Sequence, residues 1–243
     1  MKSKENSQKP RGIFLLPNLF TTAALFAAFY SIVAAMKGAF DVAAIAIFIA
    51  MVADSLDGRI ARLTKTQSDF GAEYDSLSDM VAFGVAPALI VYKWSLHSLG
   101  KTGWLIAFIY TATTALRLAR FNTKLGDTTN KRYFQGIPSP AAAAVIASLV
   151  WMGYDNMVDG EVVRIFIALM TLITGGLMVS SIPYHSFKEI DLKGRVPFMV
   201  GAIVVLIYVA ISIDPPLIIF LISFGYVLSG IVLALWNLYQ ARR

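Results

Sequence analysis

The sequence predicts an all-α, polytopic membrane helix bundle of about eight transmembrane helices, with both termini on the cytoplasmic side. Three observations lead there. Hydrophobic residues make up 57% of the 243 and charged residues only 15%, too few polar groups to cover a water-facing surface. Runs without Asp, Glu, Lys or Arg recur at 12–36, 133–154, 165–187, 196–213 and 215–241, each able to hold a bilayer-crossing helix of about 20 residues (range ~17–25). Lys and Arg, finally, gather at alternate span ends, as membrane topology requires.

The expected helices are 17–36, 41–63, 70–94, 102–122, 138–154, 163–182, 196–213 and 216–238, in a single integral membrane domain over 1–243. The first follows from the uncharged run behind a basic start. That start looks like a signal peptide, but the spans that follow make it a retained first helix. The second and third have apolar cores, 42–53 and 80–92, too short to span alone. They reach span length only by continuing into the charged block 54–79. The fourth is uncharged up to Arg117, which must face inward for the helix to run to its full length. The fifth opens at Pro138 and Pro140, residues tolerated in a first helical turn. The last three carry no charge except Arg164 at the start of 163–182.

With the N-terminus inside, 17 of the 21 Lys and Arg fall at inner ends, and only Lys37, Lys93, Lys101 and Arg164 at outer ends. The net charge of +6 is therefore topological, with attraction to anionic membrane lipid, and does not point to nucleic acid. Trp94, Trp104, Trp151 and Trp236 near span ends read as interfacial anchors, and His97 and His185 as isolated and non-catalytic. The absence of Cys excludes disulfides, thiolate nucleophiles and thiolate metal ligands.

Six of the fifteen acids crowd into 54–79, where a membrane helix should carry none. Each costs roughly 2.5–3.5 kcal/mol at a span centre, so an ionisable group there is functional by default. Asp54, Asp57, Gly58, Ala61 and Arg62 recur at one helix face, as do Gly71, Asp75 and Asp79. A short turn joining the two helices aims the carboxylates of Asp54, Asp57, Asp75 and Asp79 at one point, while Asp69 and Glu73 lie off that face. Four converging carboxylates call for a hard divalent cation, Mg²⁺, Mn²⁺ or Ca²⁺, and four acids can hold two ions. Gly58 and Ala61 serve either close helix packing or, beside a metal site, room for a flat ligand.

The block Asp54-Ser-Leu-Asp57-Gly58-Arg-Ile-Ala61-Arg62, eight residues, Gly71-Ala-Glu-Tyr-Asp75-Ser-Leu-Ser-Asp79 resembles the signature of the CDP-alcohol phosphatidyltransferase family. All eight fixed positions of D-x-x-D-G-x-x-A-R, eight residues, G-x-x-x-D-x-x-x-D are present. The resemblance implies transfer of a phosphatidyl group from a CDP-linked lipid to an alcohol, with release of CMP. It implies that Asp54, Asp57 and Asp75 ligate Mg²⁺ or Mn²⁺, that Asp79 completes a second metal site, and that Asp79 is the general base. Gly58, Ala61 and Gly71 would admit the cytidine, and Arg62 would hold the diphosphate. It also sets a catalytic core at about 17–182, with two additional C-terminal spans over 196–238.

Three further segments, Pro17-Asn18-Leu-Phe-Thr21, Arg117-Leu-Ala-Arg120-Phe-Asn122 and Phe134-Gln-Gly136-Ile-Pro138-Ser139-Pro140, resemble the bacterial-type phosphatidylserine synthase branch. That implies CDP-diacylglycerol and L-serine as substrates, a homodimer, and a bacterial inner membrane with the active site facing the cytoplasm. Glycerol 3-phosphate or inositol phosphate as acceptor is the sibling alternative. A cation transporter is the remote one, since it would spread its acids along a pore. Arg117 and Arg120, one turn apart, suit the serine carboxylate or the lipid diphosphate, or else snorkel to the interface. Asn18 is either a CDP-lipid contact or a helix cap. Transfer by direct displacement is the expected course, with a path through a phosphatidyl-aspartate as the alternative.

Overall fold

The computed structural model describes residues 15–64, 66, 68–123, 133–185 and 198–241. Its helices are α1 (Leu15–Met36), α2 (Phe40–Thr64), α3 (Asp69–Asp79), α4 (Ala86–Trp94), α5 (Lys101–Thr123), α6 (Ser139–Asp155), α7 (Arg164–Val179), α8 (Phe198–Ile213) and α9 (Pro215–Ala241). These ends lie within three residues of the expected ones. The basic residues before Leu15, and those at 65, 124, 131, 132, 188, 193, 195, 242 and 243, lie outside the described residues.

Among the described residues three helices, Leu16–Met36, Asp69–Trp94 and Pro215–Trp236, are long and apolar enough to cross a membrane. The others fall short for two different reasons. Helix α2 carries Asp41, Asp54, Asp57, Arg59 and Arg62, and α5 carries Lys101, Arg117 and Arg120. Helices α6 and α7 have 17 and 16 residues, as does α8 with 16, a little under the ~20 that span a hydrocarbon core upright.

Small residues set the packing. Ala24, Ala27, Ala28, Ala34 and Ala35 of α1 are buried against a face of α2 containing Ala43, Ala46, Ala50 and Ala53. With so little side chain between them the backbones come close, and Ser31 donates to the Ala43 carbonyl at 2.7 Å. Helix α6 is buried on all sides from Ala142 to Val150 and is the centre of the bundle, with α2, α4, α7 and α9 around it.

The expected third helix is not continuous. Between α3 and α4 the turns widen into a π-helical segment, Met80–Val85. Pro87 explains the widening: it has no N–H to give the Phe83 carbonyl four residues back. Tyr110 of α5, fully buried, donates its hydroxyl to that carbonyl at 3.2 Å. The offset follows directly after Asp79, at the end of the acidic face.

The helical fold also contains a two-stranded antiparallel ribbon that the sequence reading lacks, β1 (Tyr133–Gln135) with β2 (Pro183–His185). Gly136 ends β1 with φ +79°, and a Cβ there would stand 2.4 Å from the Met178 carbonyl oxygen, so only glycine fits. The ribbon ties the start of α6 to the end of α7.

Two expectations near the end of α4 need correction. Trp94 is not an interfacial anchor: it is 8% exposed and packs against Gly153, where a Cβ would meet its ring at 2.5 Å. His97 is not isolated, since its Nε2 lies 3.6 Å from Glu161.

Candidate functional site

The acidic block folds as a helical hairpin. Helix α2 carries Asp54 and Asp57 in its last turns, and α3 carries Asp75 and Asp79. Ser68 starts α3 sharply: its hydroxyl accepts from the Gly71 N–H at 3.0 Å. The reversal is held by a 2.6 Å hydroxyl contact between Thr64 and Thr66.

Asp54, Asp57 and Asp75 each bring one carboxylate oxygen within 4.8 Å of the other two. Asp57 is buried, and Thr21 of α1 donates to its Oδ2 at 2.7 Å. The Oδ1 of Asp75 is buried without a hydrogen-bond partner. Asp79 stands outside this trio, but its carboxyl and that of Asp75 are both within hydrogen-bonding reach of Asp54. Converging carboxylates, one with an unmatched buried oxygen, are costly unless a cation joins them. The donors are all oxygen, and they fit a hard divalent ion. The trio can therefore hold a divalent metal.

On one side of the trio a cleft of about 220 Å³ opens between α1, α2 and α3, with Asp57 and Asp75 in its wall. All five residues expected to meet the CDP-lipid line it: Asn18, Gly58, Ala61, Arg62 and Gly71. The two readings of Gly58 are now separable. A Cβ on it would meet nothing closer than the Arg62 Nη1 at 3.9 Å, so its smallness leaves space rather than helix contact. Asn18 sits inside α1, which begins by Leu15, so it does not cap that helix. Its Oδ1 points toward Gly71, where a Cβ would come within 3.5 Å.

Arg117 of α5 is not among the residues lining the cleft. It is within electrostatic range of Asp79, its Nη1 donates to Ser139 of α6 at 3.2 Å, and its Nε is buried without a partner. Arg120 turns elsewhere. Its guanidinium donates to the Gln135 side chain and, at 3.4 Å, to the Val179 carbonyl, latching α5 to the ribbon. Asn122 donates to Ser76 at 2.9 Å and ties the end of α5 to α3. Asp69 and Glu73 are exposed, off the acidic face as expected.

Thr21 is the residue the sequence reading missed. It stood in a quoted segment, but a threonine on an apolar helix has no pattern that ties it to an acid 36 positions later. Ser139 gave as little sign of meeting Arg117, because a serine between two prolines reads as a turn.

The arrangement has relatives. Over 224 residues, 90% of this chain and 91% of the relative, it is 37% identical to a CDP-diacylglycerol–serine O-phosphatidyltransferase of Helicobacter pylori. A protein of the same name from Mycobacterium leprae is 31% identical over 93% of this chain and 76% of its own length. An archaetidylserine synthase of Methanothermobacter thermautotrophicus is 32% identical over 74% of this chain and 73% of its own. Residues 14–184, which contain the acidic hairpin, the cleft and Arg117, match the CDP-alcohol phosphatidyltransferase family, and the chain belongs to it.

Proposed function

We propose that the protein transfers the phosphatidyl group of CDP-diacylglycerol to the hydroxyl of L-serine, giving phosphatidylserine and CMP. The observation that carries this reading is the carboxylate trio at the wall of a cleft lined by all five residues expected to meet the CDP-lipid, with a half-buried arginine in electrostatic range of Asp79. The names of the relatives support serine as the acceptor.

Asn18, Gly58, Ala61 and Gly71 receive the cytidine, and Arg62 at the cleft rim holds the diphosphate by charge. Arg117 holds the serine carboxylate, a match of planar fork to planar anion. Asp54, Asp57 and Asp75 hold one divalent ion and, with Asp79, a second. Mg²⁺ or Mn²⁺ there would neutralise the diphosphate and the charge that grows on the leaving phosphate. The serine hydroxyl attacks the lipid-linked phosphorus, the phosphorus–oxygen bond to CMP breaks, and Asp79 accepts the hydroxyl proton. Positioning and charge stabilisation supply most of the rate in such transfers. An Asp is a weak base, so the proton moves as the new bond forms.

The site lies in the inner-leaflet half of a bundle of eight spans, with both termini in the cytoplasm of a bacterial cell and the enzyme in its inner membrane. The lipid reaches the site from the bilayer and serine from the cytoplasm. A homodimer completes the reading, its subunits joined through apolar outer faces.

The test is CMP release by the purified protein in detergent with CDP-diacylglycerol and Mg²⁺ or Mn²⁺. L-Serine, glycerol 3-phosphate and inositol phosphate are compared as acceptors, with Asp79→Asn as blank. Release with serine alone, lost in the variant while nucleotide binding persists, is the expected result. Release only with a phosphorylated alcohol overturns the serine assignment, and an active Asp79→Asn overturns the base.

A further inference from the structure

Ser139 is the first residue of α6, buried between Pro138 and Pro140. Its hydroxyl does nothing for the helix it starts. Pro138 stands at the cap position, and no side chain caps this end. Pro140, in the first turn, lacks one of the N–H groups that a cap would serve. The backbone just before the serine is tied down instead. The Gly136 N–H donates to the Ile182 carbonyl at 2.9 Å, and the Ile137 N–H to the Leu177 carbonyl at 3.1 Å. Ser139 is therefore a fixed point whose hydroxyl is left to serve another element.

That element is α5. Arg117 donates from Nη1 to the Ser139 Oγ at 3.2 Å, and among the described residues neither side chain makes another hydrogen bond. Nη1 lies on the same side of the Nε–Cζ bond as Cδ. Engaging it leaves the edge formed by Nε and Nη2, whose N–H bonds run parallel and match the two oxygens of a carboxylate. The protein does not satisfy that edge. Nε is buried without a partner, and the one ion pair among the described residues is that of His97 with Glu161. A buried donor on a charged group is costly to leave unmatched, and a carboxylate laid against the edge removes that cost.

We propose that Ser139 is a positioning residue for Arg117: by holding Nη1 it leaves the Nε–Nη2 edge set to receive the acceptor's carboxylate at two points. This deepens the proposed function and rests on its reading of Arg117 as the acceptor-carboxylate residue. An arginine side chain is long and rotamer-rich, so fixing its plane before the acceptor arrives removes part of the ordering cost of binding. Ser139 acts through Arg117 and does not itself touch the reacting atoms.

The experiment is steady-state CMP release by the full-length protein in detergent, with L-serine and CDP-diacylglycerol varied in turn. Wild type, Ser139→Ala, Ser139→Cys, Arg117→Lys and the Ser139→Ala/Arg117→Lys double variant are compared. Ser139→Ala removes only the hydroxyl, and Ser139→Cys fills its space with a weak acceptor. The expected effect is a rise in the serine KM, about tenfold for Ser139→Ala and at least threefold for Ser139→Cys, with the CDP-diacylglycerol KM and the Tm unchanged. In the Arg117→Lys background Ser139→Ala should change the serine KM less than twofold, because an ammonium has no plane to orient. An unchanged serine KM in both Ser139 variants, or equal effects of Ser139→Ala in both backgrounds, overturns the inference. So does a parallel rise in both KM values with a fall in Tm, which marks a purely structural role. The other arms separate this from the larger reading. Wild type inactive with serine overturns the proposed reaction and the inference with it. An active wild type whose serine KM rises in Arg117→Lys but not in the Ser139 variants overturns only the role of Ser139.

Discussion

Thr21→Val tests whether the acidic row works as a metal site. Valine matches threonine in shape and puts a methyl where the hydroxyl donates to Asp57 Oδ2 at 2.7 Å. The same hydroxyl lies 3.2 Å from the Pro17 carbonyl, but it has one proton, and the shorter contact to a carboxylate takes it. Losing a hydrogen bond to a charged group costs about 1.5–3 kcal/mol. Asp57 is buried, so water does not replace the donor. The carboxylate then loses the contact that fixes its rotation toward Asp54 and Asp75. Groups that orient metal ligands in this way are worth roughly 10–100-fold in metal affinity or activity. The expected outcome is a 10- to 100-fold rise in the Mg²⁺ or Mn²⁺ concentration for half-maximal CMP release. Saturating metal should recover most of the rate, and Thr21→Ser should behave as wild type. The Ser78 hydroxyl, which donates to the Thr21 backbone carbonyl at 3.2 Å, is untouched, so α1 stays joined to α3. If the metal requirement of Thr21→Val shifts less than twofold, Asp57 is not a ligand held by Thr21, and the argument from the carboxylate trio fails.

Two further outcomes follow from the same geometry. Gly58→Ala should keep CMP release within about threefold and stabilise α2 by roughly 0.5–1 kcal/mol, since its Cβ meets nothing closer than 3.9 Å. Gly58→Leu should instead fill the cleft and raise the CDP-diacylglycerol KM at least tenfold in folded protein, and wild-type binding by this variant would place the nucleotide elsewhere. Tyr110→Phe removes the hydroxyl that serves the Phe83 carbonyl beside Pro87, at a cost of about 0.5–1.5 kcal/mol. It should lower the Tm in detergent and leave the rate per folded molecule near wild type, and an unchanged Tm would show that the π-helical offset needs no such donor.

Much of this was legible because hydrophobic runs and helical spacing are local properties. The helices fall where the uncharged runs and the acidic faces place them, and the cleft collects all five residues that the acidic motif and the Pro17 segment nominated. What escaped was contact across distance. Thr21 meets Asp57 only because two alanine-lined helices approach closely, and no periodicity in either helix encodes that encounter. The break at Met80–Val85 was hidden because Pro87 sits in an otherwise continuous apolar run, where its missing N–H leaves no mark on hydrophobic spacing. The ribbon was hidden because its strands are three residues each and 50 positions apart. Arg117 and Arg120 looked equivalent at one-turn spacing. The structure separates them, because Ser139 draws one toward the acids and Gln135 and the Val179 carbonyl hold the other on the ribbon.

The separation of the two arginines bears on how one row of acids serves two substrates. Asp57 and Asp75 line the cleft, and Asp54 lies within reach of Asp75 and Asp79, on the way to Arg117. On the proposed reading a lipid diphosphate binds at the cleft, whose wall holds Asp57 and Asp75 but not Asp79, and the acceptor carboxylate binds at Arg117. An attacking hydroxyl and a leaving phosphate on opposite sides of the phosphorus are what in-line displacement requires. A path through a covalent aspartyl intermediate would instead bring the later acceptor in on the side the nucleotide vacates, opposite the attacking carboxylate. Asp79 is within electrostatic range of Arg117 and is absent from the cleft wall, which on the proposed reading suits it to take a proton from the acceptor. With the donor at the cleft and the acceptor at Arg117, as proposed above, direct displacement needs no acceptor to enter from the nucleotide side.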